Sequence, residues 1–201
     1  MLNQSVKNNK LQGKDLIFVG IFTAIFLAIT IIVSGCAFLP ILQIMVSPIC
    51  ALLYAPVYLL YLAKVGKPLA ITILGVICSA FVGLLVYGNV FCFLVNMMIF
   101  IVAELIAKAG GYKSFKLNAI SYFVVSFWTM GESGSFWFFK DFAAELSLNG
   151  GYTQEWVEGV SRLSTPLSFV IVLAAIAVAA IISIVFARRM FKKHFKKAGI
   201  I

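Results

Sequence analysis

The chain has 201 residues, of which 63% are hydrophobic and only 11% are charged, and its formal net charge at pH 7 is +9. Its mean hydropathy is +1.07. An ordinary soluble domain contains about half apolar and about a quarter charged residues, so this composition excludes a soluble globular domain and indicates an integral membrane protein.

Apolar stretches long enough to cross a bilayer recur along the whole sequence. Crossing about 30 Å of hydrocarbon takes about 20 helical residues. We predict six membrane-spanning helices, at 16–35, 40–63, 66–87, 89–108, 117–138 and 165–187. The predicted fold class is therefore an all-α membrane protein, with residues 1–201 forming one six-helix transmembrane domain.

The first predicted span carries small residues at Gly20, Ala24 and Ala28, which lie one turn apart on one helical face. In lipid, helices gain little by hiding leucine from other apolar chains, and close association depends on small residues that let backbones approach. The stripe therefore predicts a docking face. Its occupant is either a partner protein or another helix of the same bundle.

The basic residues predict the orientation of the bundle. All of the 16 Lys and Arg residues except Lys140 and Arg162 lie before span 1, where spans 2 and 3 or spans 4 and 5 join, or after span 6. Since positive charge concentrates in cytoplasmic loops, we expect residues 1–15 and the tail 188–201 to be cytoplasmic. The tail is interpreted as an anchor that also touches membrane lipid, not as a nucleic-acid-binding segment.

The longest connection, 141–164, joins spans 5 and 6. Its side chains are acidic overall, so we expect it to face outward. Within it, the segment TQEWVEGVSRL places Trp156, Val160 and Leu163 about one turn apart and predicts a short amphipathic helix. This helix is either a lid over the outer mouth or an interfacial brace.

Two acidic residues fall inside predicted spans, where an ionisable side chain costs about 2.5–3.5 kcal/mol. Glu104 lies four residues before Lys108, and this spacing predicts a structural ion pair. Glu132 lies in the outer third of span 5, where no basic residue lies one turn away and Trp128 shares its helical face. We interpret Glu132 and Trp128 as the polar floor and aromatic wall of a small-molecule pocket. The alternative is an interfacial glutamate that reaches the headgroups.

Other polar or aromatic side chains are predicted at a similar depth. The candidates for substrate binding beside Glu132 and Trp128 are Asn96, Gln43, Tyr87, Asn89, Trp137 and Lys140. Each of them has an alternative role in helix packing or at the membrane interface.

Two motifs suggest other activities. GESG at 131–134 resembles the nucleophile motif of rhomboid-type proteases, but the only histidine, His194, lies in the tail on the other side of the membrane. VSGC at 33–36 resembles a lipoprotein cleavage site, but an apolar stretch follows it. No zinc-binding or phosphate-binding motif is present in the sequence. We therefore predict that the chain is not an enzyme and carries neither a metal nor a cofactor.

The size, the six spans, the absence of an ATP-binding motif and the Ala24/Ala28 pair resemble the substrate-binding S component of an energy-coupling factor (ECF) transporter. The segments KDLIFVGIFTAI (14–25), AELIAKAGGYKSFKLNAISY (103–122) and KHFKKAGI (193–200) resemble the Trep_Strep family of bacterial membrane proteins. That family is commonly grouped with the S components.

The resemblance implies a multi-pass protein of the bacterial cytoplasmic membrane. It would bind a vitamin, a precursor or, less in keeping with the absence of an outer histidine, a haem-like molecule, in a pocket beneath the 1–2, 3–4 and 5–6 loops. Its implied partners are a transmembrane coupling subunit, which would contact Ala24 and Ala28, and two cytoplasmic ATPase subunits. The alternatives are a self-sufficient secondary transporter and a structural membrane protein without a ligand.

Overall fold

The computed structural model describes residues 10–191, and every regular element within them is helical. The elements are α1 (Gly13–Gly35), α2 (Pro40–Lys64), α3 (Ala70–Ser79), a π-helical segment (Ala80–Val86), α4 (Val90–Ala109), α5 (Phe115–Val125), α6 (Met130–Ser133), α7 (Ser135–Phe138), α8 (Lys140–Asn149), α9 (Gln154–Leu163) and α10 (Pro166–Met190). The first nine residues and most of the predicted basic tail, His194 included, lie outside the described residues.

Within residues 10–191, four helices are long and apolar enough to cross a membrane, namely α1, α2, α4 and α10. They coincide closely with predicted spans 1, 2, 4 and 6. The predicted third span starts later than expected, at Ala70, because Gly66 and Leu69 have positive φ angles that interrupt helical geometry. It consists of ten α-helical residues followed by seven π-helical ones.

The predicted fifth span, 117–138, is not one continuous helix. The α5 helix ends at Val125, and two short helices, α6 and α7, follow a turn. Hydroxyl groups bond to carbonyl groups along this break: Ser126 Oγ donates to Phe123 O at 2.6 Å, and Ser135 Oγ donates to Glu132 O at 2.8 Å. Irregular backbone at membrane depth is tolerated where such partners satisfy it.

The basic residues gather at one end of the bundle, which we call the basic end. Lys67 in the α2–α3 connection forms an ion pair with Asp15 at the start of α1, with 2.6 Å between Nζ and Oδ2. Arg188 near the end of α10 lies over the ring of Phe115 at the start of α5, 5.6 Å from its centroid. The Asp15–Lys67 pair was not predicted, because its two members are far apart in the sequence.

Glu104 does not form the predicted ion pair with Lys108. Its Oε1 accepts a hydrogen bond from the Leu69 backbone N–H at 3.0 Å, and its Oε2 accepts one from the Thr72 N–H at 3.1 Å. The Tyr112 hydroxyl also donates to Oε1. The physical reason is that unpaired N–H groups at the start of a helix attract a buried carboxylate from the neighbouring helix. Glu104 of α4 thus links this helix to α3 through hydrogen bonds.

We expect the change Glu104→Ala to lower the free energy of unfolding by about 2 kcal/mol, because its buried donors lose their acceptor. The matched control is Lys108→Ala, which removes an exposed side chain and should change that free energy by less than about 0.5 kcal/mol. Denaturant unfolding of the purified protein in detergent measures both values. If Lys108→Ala lowered the free energy of unfolding more than Glu104→Ala does, the result would support the ion pair predicted from the sequence.

Helix α2 lies in the centre of the described bundle and bonds to its neighbours through tyrosines. Tyr54, Tyr58 and Tyr61 are fully buried. The Tyr54 hydroxyl lies 2.6 Å from Thr30 Oγ1 of α1, and the Tyr58 hydroxyl lies 2.6 Å from Ser121 Oγ of α5. The Tyr61 hydroxyl donates to the first carbonyl of α3. Such bonds hold helices together in lipid, where burial of apolar surface contributes little.

The small-residue stripe of α1 faces away from the bundle. Gly20, Ala24 and Ala28 are all exposed, and a Cβ added at Gly20 would meet no atom within 4 Å. The buried face of α1, which includes Phe22 and Phe26, packs against α2 and α3 instead. The interpretation of the stripe as packing within the protein's own bundle is therefore wrong.

Candidate functional site

A cavity of about 510 Å³ opens at the end of the bundle opposite the basic end. This volume lies within the range of small-molecule sites. Its wall is formed by the end of α1, the start of α2, the end of the π-helical segment, α7, α8 and α9. Its polar and aromatic lining includes Ser34, Gln43, Tyr87, Ser135, Tyr152 and Trp156.

Helices α8 and α9 cover this cavity. The sequence predicted one short amphipathic helix in 141–164, and the structure has two helices there. Trp156 and Val160 face inward as predicted, whereas Leu163 is 37% exposed, because the buried side of α9 is completed by Val157. The Trp156 Nε1 group donates to the Ala37 carbonyl of the α1–α2 connection at 3.3 Å, which fastens α9 over the cavity.

Tyr87 and Glu132 are brought together at the cavity wall. The Tyr87 hydroxyl donates to Glu132 Oε1 at 2.7 Å. Tyr87 lines the cavity, whereas Glu132 is only 3% exposed. Glu132 Oε2 has no hydrogen-bond partner among the described residues. A buried carboxyl group with an unused acceptor is costly, so this pair is poised for a further polar contact.

Trp128 is a core residue and does not line this cavity. It is fully buried and packs between Tyr54 and Phe100, with ring centroids 6.2 and 5.7 Å away. Asn96 is also fully buried and faces Gly131, where a Cβ would overlap its Oδ1 atom. Gly131 thus lets the break after α5 approach α4 closely. Trp128 Nε1 and Asn96 Oδ1 both lack partners within the described chain.

The remaining predicted site residues divide between the cavity and structural positions. Gln43 lines the cavity and is 6% exposed. Asn89 is the N-cap of α4 and accepts hydrogen bonds from two backbone N–H groups. Trp137 Nε1 bonds to Thr165 O and Ser168 Oγ at the start of α10, and Lys140 is an exposed residue at the start of α8.

Sequence reasoning missed several cavity residues. Ser34 and Ser135 line the wall from α1 and α7, and Tyr152 lines it from the α8–α9 connection. Trp156 lines it from α9, where the sequence placed it on a lid or brace but not among the ligand contacts. The rings of Tyr152 and Trp156 stack with centroids 4.1 Å apart. The sequence feature that could have indicated Tyr152 and Trp156 as cavity residues is their spacing of four residues in the predicted outer loop. The serines gave no such signal, because hydroxyl groups are common in spanning helices.

The GESG serine has no general base beside it in the described part of the chain. Ser133 Oγ lies 2.8 Å from Ser47 Oγ and 3.1 Å from the Thr129 carbonyl oxygen. These contacts are those of a helix-packing residue. Residues 10–191 contain no cluster of three or more His, Cys, Asp or Glu side chains suited to a metal ion.

The apolar helices and the comparison with protein families define a multi-pass integral membrane protein of bacteria, consistent with the cytoplasmic membrane. The chain belongs to the family described as hypothetical bacterial integral membrane protein (Trep_Strep), whose model matches residues 13–197. This match confirms the family predicted from the sequence. No curated protein and no solved structure matches the chain.

Proposed function

We propose that this protein is the substrate-binding membrane subunit, or S component, of an ATP-driven ECF-type importer of a vitamin or similar micronutrient. The observation that carries the proposal is the 510 Å³ cavity covered by α8 and α9, with Tyr87 and the buried Glu132 in and behind its wall. A covered, mostly apolar cavity with a few placed polar groups is the usual form of a small-molecule site.

The proposal includes the membrane arrangement. The α3 helix with its π-helical continuation would be the third of six spans, and the interrupted segment from α5 to α7 would be the fifth. The basic end would face the cytoplasm, since Lys67, Lys116 and Arg188 gather there, and the cavity would open outward. A ligand would thus enter from outside beneath the covering helices.

The exposed stripe of α1 supports a partner. Gly20, Ala24 and Ala28 offer a face on which a second helix can approach closely without displacing any helix of this bundle. We propose that the transmembrane coupling subunit docks there and that two cytoplasmic ATPase subunits supply the energy. The protein would tilt against this partner to release its ligand inward, and ATP hydrolysis would take place in the partners.

Native mass spectrometry of the protein, purified gently from its own host, tests the proposal. We expect the wild type to carry a bound small molecule of discrete mass. The variants Tyr87→Phe and Glu132→Gln should retain this molecule about tenfold more weakly, since each removes one member of the hydrogen-bonded pair at the wall. Tyr61→Phe is the matched control, because it removes a buried hydroxyl bond at the basic end. Equal retention in all variants would reject the role of Tyr87 and Glu132.

A secondary transporter that works alone is the second candidate. Glu132 Oε2, Asn96 Oδ1 and Thr129 Oγ1 have no partners among the described residues. Glu132 and Thr129 lie in the interrupted segment and Asn96 faces it from α4, and interrupted helices of this kind hold coupling ions in transporters. Ion-driven uptake by the isolated protein in liposomes, without ATPase subunits, would favour this candidate. Uptake that requires the added ATPase subunits and ATP would favour the importer.

A further inference from the structure

We infer that the cavity takes an uncharged, planar heterocycle whose lactam or ureido edge bonds to Gln43. The inference rests on the proposed function, since it names the chemical class of ligand for the same site. It depends on three features of the wall, namely the absence of charge, one free amide group and a flat aromatic surface.

The wall of the cavity carries no Lys, Arg, His, Asp or Glu side chain from the described residues. The nearest carboxyl group, Glu132, lies behind Tyr87. The charged residues of α9, Glu155, Glu158 and Arg162, line a different groove, against the α1–α2 connection. A phosphate or carboxylate ligand would lose its hydration here without gaining a cation, so a neutral ligand fits best.

Gln43 supplies a free hydrogen-bonding edge. Gln43 is only 6% exposed, its side chain makes no hydrogen bond to any described residue, and it lines the cavity. A primary amide presents its carbonyl oxygen beside one of its two N–H groups. The complementary partner is a cis-amide, in which N–H and C=O groups are adjacent, as in a lactam or a ureido ring. The Ser34 hydroxyl, which also lines the cavity and has no partner among the described residues, offers a second contact.

The aromatic surface favours a flat ligand. Tyr152 and Trp156 stack with an interplanar angle of 28°, and both line the cavity. Phe136 meets the Trp156 ring edge to face, with centroids 6.1 Å apart, and so fixes its orientation. Offset or edge contact with such rings stabilises a planar ring more than a flexible chain, because a rigid ring loses less conformational freedom on binding.

The experiment uses the full-length protein in detergent and a low-molecular-weight extract of the host, separated on ion-exchange resins into neutral, anionic and cationic pools. Thermal unfolding is measured with each pool. We expect the neutral pool to raise the Tm, and the compound responsible, once isolated, to absorb in the near ultraviolet as a heterocycle does. Its affinity should fall at least about tenfold in Gln43→Leu and less in Ser34→Ala.

Gln154→Leu is the matched control, because it makes the same change on the exposed side of α9 and should leave binding unchanged. A shift from the anionic or cationic pool would overturn the ligand class while leaving the binding function in place. A neutral compound that binds Gln43→Leu and Ser34→Ala as tightly as the wild type would overturn the edge contact. If no pool shifts the Tm, both the inference and the proposed function fail.

Discussion

Replacing both Ala24 and Ala28 by tryptophan is expected to abolish co-purification with the coupling subunit and ATP-dependent uptake, while ligand retention in native mass spectrometry stays unchanged. Both alanines are exposed on α1, and the helices that pack against α1 contact its other face. The two indole rings would therefore disturb nothing inside the bundle. They would prevent the close backbone approach that small residues allow between helices in lipid.

The matched control for this pair is Ala174→Trp, an exposed alanine on α10. It adds the same bulk to a different lipid-facing surface and should leave both co-purification and uptake intact. Thermal unfolding of all three variant sites should match the wild type, since none is buried. Co-purification that survives in the Ala24→Trp, Ala28→Trp double variant would reject α1 as the docking helix.

The long apolar helices were predictable because a single physical requirement dominates them. About 20 apolar residues are needed to cross the hydrocarbon, and this length is readable in the sequence of α1, α2, α4 and α10. The interrupted fifth segment was less predictable. Its apolar residues continue through the break, and only Gly131, Gly134 and the local serines indicate that the helix does not.

Side-chain contacts between different helices could not be predicted from the sequence. Glu104 was assigned to Lys108, one turn away, but its partners come from α3 and from Tyr112. Local spacing shows which residues can meet on one helix. Which backbone donors of a neighbouring helix a side chain reaches depends instead on how the helices pack. The same limit explains why Trp128 was predicted as a cavity wall although it is buried between Tyr54 and Phe100.

Gln43, Tyr87 and Glu132 were predicted on physical grounds to lie at a similar depth and to bind substrate. The structure brings them close together, and their role in binding stays a prediction. Polar side chains are costly in a bilayer, so those at one depth tend to face one another or an aqueous cavity. The structure places Gln43 and Tyr87 in the same wall and Glu132 directly behind it. Tyr152 escaped the prediction, and Trp156 was predicted only as part of a lid or brace, because an outer loop imposes no such cost on polar groups.

Gly75→Ala is expected to lower the free energy of unfolding by about 3 kcal/mol, although it adds a single methyl group. A Cβ at Gly75 in α3 would overlap the Cβ and Cγ atoms of Phe100 in α4. Phe100 is fully buried and packs on Trp128, with ring centroids 5.7 Å apart, so it cannot move aside. The added methyl group would have to separate α3 from α4 or displace Trp128 beside the break after α5.

Gly20→Ala is the control that makes this prediction sharp, because both glycines lie in apolar helices and nothing in their local sequence distinguishes them. A Cβ at Gly20 meets open space, so the change should be neutral or should raise the free energy of unfolding by up to about 1 kcal/mol. Combining Gly75→Ala with Phe100→Leu should recover part of the loss, since the two positions are in contact. Equal effects of Gly75→Ala and Gly20→Ala in denaturant unfolding would contradict the close approach of α3 and α4. The close approach of the two helices holds Phe100 against Trp128. Trp128 in turn supports the interrupted segment that places Glu132 behind the cavity wall.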